Sequence, residues 1–229
     1  MKIQAIIPSA GSGLRLKNAL LKPLVLLEGK SILAYSLEVF EKCSLIDSVI
    51  IVGHPDKVES FKVMISDHGF KKIKCVIPGG KERCDSVKKG LQKLDEDTDI
   101  VVVHDGARPF VSIDLIERCI KEAEENLAAI AAVPVKPTIK IVDLESMTVA
   151  ETLDRAKLWN VQTPQVFKKD VLLKAYENID QKKPTDDSSL VEQMGIKVKV
   201  VQGDYQNIKI TTPEDFKLAE FLVREKGKA

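Results

Sequence analysis

The sequence predicts an α/β fold, a mostly parallel sheet with helices on both faces. Short apolar runs rich in β-branched residues recur along the chain, and amphipathic stretches with helical spacing separate them. The composition agrees: 44% of the 229 residues are hydrophobic and 30% charged, while only 5% are aromatic, so the core is built mainly from Ile, Val, Leu and Ala. That length suits a single domain spanning residues 1–229.

The expected strands are Ile3–Pro8, Val49–Gly53, Ile73–Ile77, Ile100–His104, Ala129–Val133 and Lys197–Val201. Their near-continuous apolar character is that of strands buried on both faces. Between them, Ser31–Lys42 carries Leu33, Leu37 and Phe40, and Asp56–Asp67 carries Val58, Phe61 and Ile65. Ser112–Asn126 opens on a candidate N-cap, Ser112, and Thr212-Pro213-Glu214-Asp215 starts a final helix with a cap, a proline and acids in its first turn. In such a sheet ligands bind beyond the carboxyl ends of the strands, so functional residues should follow strands.

Pro134–Trp159 breaks the rhythm. Ile139-Lys140-Ile141 alternates, Asp143–Met147 suits a turn, and Thr148–Thr152 suits a returning strand. This predicts a protruding β-arm at about 134–159 that packs on a partner subunit, because an isolated hairpin is marginal in water; the alternative is a plain surface hairpin.

A net charge of +1 supplies no global field for nucleic acid or an anionic membrane, and no apolar run is long enough to span a bilayer. The four cysteines and three histidines are scattered, which argues against a thiolate or imidazole metal site and for reduced cysteines in a cytoplasmic protein.

Three segments that follow strands carry chemistry. In Pro8-Ser9-Ala10-Gly11-Ser12-Gly13-Leu14-Arg15-Leu16, small residues let successive N–H groups point at phosphate oxygens, and Arg15 and Lys22 are the candidate cations. The loop is not a dinucleotide fingerprint, because Leu16 holds the place of the third glycine. Gly29-Lys30-Ser31 does not complete a P-loop either, since the first glycine would have to sit at Leu24. In Gly79-Gly80-Lys81-Glu82-Arg83-Cys84-Asp85-Ser86, two glycines allow close approach to a flat base, and Ser86 is suited to bond the base or its sugar. Glu82 and Asp85 alternatively favour a helix N-terminus. In His104-Asp105-Gly106-Ala107-Arg108-Pro109, Asp105 is the best metal ligand of the chain, for Mg²⁺ completed by water and phosphate. Arg108 either holds a second phosphate with its planar fork or braces the loop against Asp105.

Taken together with Leu21-Lys22-Pro23, Asp154-Arg155, Thr163-Pro164-Gln165, Thr185-Asp186-Asp187 and Asn207-Ile208-Lys209-Ile210-Thr211, these segments appear in an order and spacing that resemble the 2-C-methyl-D-erythritol 4-phosphate cytidylyltransferases of the non-mevalonate isoprenoid pathway. The resemblance implies a Rossmann-like nucleotidyltransferase fold, Mg²⁺ dependence, and a homodimer in which each arm reaches the other subunit's site. It implies transfer of CMP from CTP, with Arg15, Lys22 and Lys209 catalytic. Ala10, Gly11, Gly13, Gly79, Gly80, Lys81 and Ser86 would hold CTP. Asp105, Arg108 and Thr163 would hold the sugar phosphate together with Thr138 and Arg155 of the partner's arm. Leu21, Ser9, Lys81 and Pro137 depart from the usual pattern without removing a group the chemistry needs. Ribitol-5-phosphate cytidylyltransferases share several of the segments, and a nucleotide-binding regulator without turnover is the alternative of a different class.

Overall fold

The computed structural model describes residues 1–11, 22–177 and 184–226. Its frame is a seven-stranded sheet of β1 (Ile3–Ser9), β4 (Ser48–Gly53), β5 (Ile73–Pro78), β6 (Ile100–Val103), β7 (Ala128–Pro134), β10 (Trp159–Lys168) and β11 (Lys199–Gln202), in the order β11-β7-β10-β6-β1-β4-β5. Neighbours from β6 to β5 run parallel, as do β7 and β11, whereas β10 runs antiparallel to both β6 and β7. Two short strands, β2 (Leu26–Leu27) and β3 (Lys30–Ser31), form a separate ribbon.

Alternation along the buried strands divides the core in two. On one face Ile3, Ala5 and Ile7 of β1 join Leu33, Leu37 and Phe40 of α1 (Ile32–Lys42), Phe61 of α2 (Val58–His68), and Leu115, Ile116 and Cys119 of α4 (Ile113–Asn126). On the other, Ile6 joins Val87 and Leu91 of α3 (Arg83–Leu91), Leu172 and Tyr176 of α5 (Lys169–Glu177), and Leu190 and Val191 of α6 (Asp187–Gln193). The expected caps form. Ser112 Oγ accepts from the Leu115 N–H at 3.2 Å, and Thr212 Oγ1 accepts from the Asp215 N–H at 3.3 Å at the start of α7 (Pro213–Lys226).

The six expected strands and the four expected helices are present. The sequence reading weighed a helix start at Glu82 and Asp85, where α3 begins, and did not identify α5, α6 or the antiparallel β10. In β10 the polar residues Gln162, Thr163 and Gln165 flank Pro164 and read as loop, yet all three are buried because their side chains find partners inside.

The arm forms as expected, from β8 (Lys140–Asp143) paired antiparallel with β9 (Thr148–Thr152). Asp143 Oδ1 closes its turn by accepting from the N–H groups of Glu145 and Ser146 at 3.0 and 2.8 Å. The arm leaves apolar side chains in the open: Leu144 is 82% exposed and Met147 74%. Among the described residues no helix is long and apolar enough to cross a membrane.

Candidate active site

Register decides which loops meet. Ser9 pairs with Gly53 and Gly53 with Pro78, so β1, β4 and β5 end in one row, and Ala10, His54 and Gly79 leave the sheet side by side. On the other side of β1, the His104 N–H donates to the Ile6 carbonyl and the Gly106 N–H to the Pro8 carbonyl, which brings the 104–108 loop to the same edge. The loops enclose a cavity of about 880 Å³. Ala10 and Gly11 line it from β1, His54 and Asp56 from β4, Gly79 to Arg83 from β5, and Asp105 from β6. Lys209 completes the wall, held there by the Ile210 N–H, which donates to the Ala107 carbonyl at 2.9 Å.

The glycine pair serves loop packing. A Cβ on Gly79 would lie 2.5 Å from the Ala10 Cβ and 2.8 Å from Ser86 Oγ, and one on Gly80 would lie 2.2 Å from the Asp85 Cβ. No side chain fits at either position while these loops keep their contact. Ser86 is buried, and its hydroxyl accepts from the Gly80 N–H at 3.1 Å and donates to the Glu82 carbonyl at 3.3 Å. It therefore shapes the loop on which Gly80 and Lys81 are displayed. Both acids weighed as helix-starting residues take that role: Glu82 caps α3, and Asp85 Oδ2 accepts from the Glu82 N–H at 2.9 Å.

Asp105 is the electrostatic centre. Its carboxylate is almost wholly buried and meets three cations: Arg83 Nε at 2.8 Å, Lys209 Nζ at 2.8 Å and Arg108 Nε at 3.7 Å. Burial alone raises its pKa, but Arg83, Lys209 and Arg108 override that and hold the carboxyl well below the ordinary carboxylate range. Burial lowers the pKa of Arg83, but Asp187 and Asp105 more than reverse this.

Beneath the carboxylate runs a chain of hydrogen bonds whose direction is determined. Residue 165 pairs with residue 103, so antiparallel register places Thr163 opposite Asp105. The Asp105 N–H donates to Thr163 Oγ1 at 3.0 Å, and Thr163 Oγ1 lies 3.0 Å from His104 Nδ1. His104 Nε2 lies 3.1 Å from the Arg108 carbonyl, which can only accept. Nε2 therefore carries a proton, and in the neutral imidazole the threonine hydroxyl donates to Nδ1. Complete burial pushes the His104 pKa down to about 4, in keeping with that form.

The structure brings together Ala10, Gly11, Gly79, Gly80, Lys81, Ser86, Asp105 and Lys209 at one cavity. Arg15 and Gly13 lie outside the described residues; Lys22 opens a short 3₁₀ turn, Lys22–Leu24, and its side chain is not among those described. Thr163 sits under the cavity floor rather than in its wall. Arg108 is spent on bracing: its Nη1 donates to the Asn207 carbonyl at 2.8 Å, so the loop-bracing alternative describes it in this structure. Thr138 and Arg155 are exposed on the arm and do not line the cavity of their own chain, and Arg155 Nη1 donates to the Lys136 carbonyl at 2.7 Å.

Sequence reasoning quoted Arg83 and Asp187 within motifs but assigned neither a role. It missed Lys89 too, whose Nζ donates to the Gly79 carbonyl at 2.7 Å in the cavity wall. The available signal for Arg83 was its place three residues beyond the strand-end glycine pair; nothing local marks Asp187 or Lys89.

The family profile described as 2-C-methyl-D-erythritol 4-phosphate cytidylyltransferase matches residues 3–225. A protein of that description from Alkaliphilus metalliredigens is 44% identical over 228 residues, 98% of this chain and 94% of its own length. One from Geobacter metallireducens is 41% identical over 232 residues, 99% of each. The crystal structure of 4-diphosphocytidyl-2C-methyl-D-erythritol synthase from Anaerococcus prevotii superposes with a TM-score of 0.87 at 36% identity, covering 97% of this chain and 96% of that one. With profile, sequence and Rossmann-like architecture in agreement over nearly its whole length, this chain belongs to the 2-C-methyl-D-erythritol 4-phosphate cytidylyltransferase family.

Proposed function

We propose that this chain, acting as a single nucleotidyltransferase domain, transfers CMP from CTP to 2-C-methyl-D-erythritol 4-phosphate. The products are 4-diphosphocytidyl-2-C-methyl-D-erythritol and pyrophosphate, and the step serves isoprenoid precursor biosynthesis. The observation that carries this reading is the convergence, on one cavity, of Ala10 and Gly11 after β1, the glycine loop after β5, the buried Asp105 and the half-exposed cation Lys209. An oxygen of the sugar phosphate attacks the α-phosphorus of CTP, the bond to the β-phosphate breaks, and pyrophosphate leaves. Both reactants are anions, so the site must hold them in line and offset their repulsion. The attacking phosphate is already ionised near neutral pH, so no general base is required, which suits a site whose only buried histidine is tied into the floor.

In this reading Ala10, Gly11, Gly13, Gly79, Gly80 and Lys81 cradle CTP, with Ser86 shaping the second loop. Arg15, Lys22 and Lys209 stabilise charge on the phosphates. Lys209 is half-exposed and already in the cavity, so it can leave Asp105 for an incoming phosphate. Arg108 and Thr163 support the sugar-phosphate end, and Thr138 and Arg155 reach it from the partner's arm.

The donor set fits Mg²⁺. Asp105 offers one buried carboxylate at the cavity, and this ion takes one or two carboxylates and completes its octahedron with phosphate and water. Asp105 would hold it, and when bound it would supply positive charge between the two phosphates. The free thiols of all four cysteines support a cytoplasmic setting. The exposed apolar residues of the arm support a homodimer joined through it.

The test is pyrophosphate release with CTP and Mg²⁺, comparing methylerythritol phosphate with ribitol 5-phosphate. Preferential turnover of the first is expected. Preference for ribitol phosphate would reassign the substrate, and tight CTP binding without release would make the chain a regulator. Light scattering on the same preparation should give the mass of two chains, and a monomer would remove the arm from the site. Lys22→Ala should lower turnover roughly a hundredfold, the scale of losing one electrostatic stabiliser; near-normal turnover would strike Lys22 from the catalytic set.

A further inference from the structure

Behind the cavity lies a second carboxylate that the proposed reaction does not use. Asp187, the first residue of α6, is completely buried. Its Oδ2 lies 2.8 Å from Arg83 Nη2, and its Oδ1 accepts from the Tyr176 hydroxyl at 2.5 Å. Its backbone is fixed as well: Gln165 Oε1 accepts from the N–H groups of Asp187 and Ser188 at 3.1 and 3.2 Å, while Gln165 Nε2 donates to Asp186 Oδ2 at 2.7 Å. Three elements, α5, α6 and β10, thus hold one carboxylate in place.

The far end of this assembly is the active site. Arg83 gives its Nε to Asp105 Oδ1 and its Nη2 to Asp187 Oδ2. A guanidinium usually forks both donors onto one carboxylate; here the fork is split across two. The bond to Asp105 is aligned, whereas the contact with Asp187 has ion-pair distance without hydrogen-bond alignment, leaving Arg83 Nη2 and Asp187 Oδ2 as buried atoms with no hydrogen-bond partner. An arrangement that gives up bonding at one end to keep the other aligned serves orientation more than stability.

The consequence concerns which cation moves. Arg83, Lys209 and Arg108 all surround Asp105, and incoming phosphates compete for every one of them. Arg108 is tied to the Asn207 carbonyl. Arg83 would be free to follow a phosphate if Asp105 were its only anchor. We propose that Asp187, supported by Tyr176, is a positioning residue. By clamping the outer end of Arg83 it keeps that guanidinium on Asp105 and fixes the carboxylate's orientation, so that Lys209 is the cation released to the substrate. The inference rests on the cytidylyl-transfer reading above.

The experiment measures steady-state pyrophosphate release by wild type, Asp187→Asn, Arg83→Lys and the double variant. Each is assayed well below its own unfolding midpoint, with kcat and KM for CTP obtained separately. A wild type without turnover would defeat the functional reading itself; an active wild type confines the outcome to the inference. Asp187→Asn is expected to lower kcat by about tenfold to a hundredfold, the scale of a reacting group displaced by roughly an ångström, and to leave the KM for CTP within about twofold of wild type. Lysine replaces the planar fork with a single ammonium on a flexible stem, so it cannot give separate, fixed nitrogens to Asp105 and Asp187. The double variant should therefore be no slower than Arg83→Lys alone, the signature of two residues acting through one contact. A purely structural Asp187 would lower the midpoint and leave kcat unchanged, or its effect on kcat would add to that of Arg83→Lys; either result overturns the proposal. If Asp187→Asn does not fold, Tyr176→Phe decides. A kcat reduced about two- to tenfold, the size of one hydrogen bond, supports the clamp, and an unchanged kcat removes it.

Discussion

Asp105→Asn is expected to reduce turnover by about 10²- to 10³-fold and to lower the free energy of unfolding by about 3–5 kcal/mol. Asparagine keeps the volume of the side chain and leaves the backbone N–H bond to Thr163 in place. What it removes is the one negative charge that Arg83, Lys209 and Arg108 share. Arg83 would keep Asp187, but Arg108, only 11% exposed, would lose its anionic partner. Destabilisation then follows from an uncompensated buried cation, not from lost packing. The chemical loss has a second source, because the same carboxylate is the proposed Mg²⁺ ligand. Pyrophosphate release and urea unfolding of the same preparation check the two parts. Turnover within threefold of wild type would remove Asp105 from the centre of the mechanism.

Lys209→Ala should lower turnover by about 10²-fold with little change in stability, and the separation of the two readouts is the informative feature. The Lys209 side chain is 39% exposed, and it reaches Asp105 from the rim of the cavity. Solvent screens such an ion pair, so its loss is worth at most about 1 kcal/mol to folding. Its backbone position depends on the Ile210 N–H bond to the Ala107 carbonyl, and the neighbouring Asn207 is buried with its side-chain amide donating to the Thr163 carbonyl at 2.8 Å. Alanine disturbs neither. In the transition state, by contrast, a fixed ammonium at this point meets the charge developing on the phosphates, which reorienting water offsets less well. Equal falls in turnover and in unfolding free energy would show that Lys209 is a brace; a fall in turnover alone assigns it to the phosphates.

Much of this was legible in the residue order. Apolar β-branched runs at regular intervals fix a parallel sheet, since only strands covered on both faces can be so uniformly hydrophobic. A parallel sheet places its ligand at the strands' carboxyl ends, so Ala10, Gly79, Lys81 and Asp105 are candidates because they follow strands, and they line one cavity. The arm is legible for the same local reason, an alternation of period two around a turn.

Local pattern failed where stability comes from distant partners. Gln162, Thr163 and Gln165 look like loop residues until β10 is inserted between β6 and β7 and each meets its hydrogen-bonding group. Glycines 79 and 80, read as clearance for a base, are first of all clearance for Ala10, Ser86 and Asp85.

The sequence by itself determined the fold class, the strand-end loops and the inventory of charged groups available to them. Only the tertiary structure decided which charges meet. Asp105 draws its partners from the start of α3 and from the middle of the 207–211 segment, and Arg83 is shared with an aspartate far along the chain. Pairing of this kind is set by strand register and by the cost of burying a charge alone, and both are properties of the packed chain that no local stretch of residues carries.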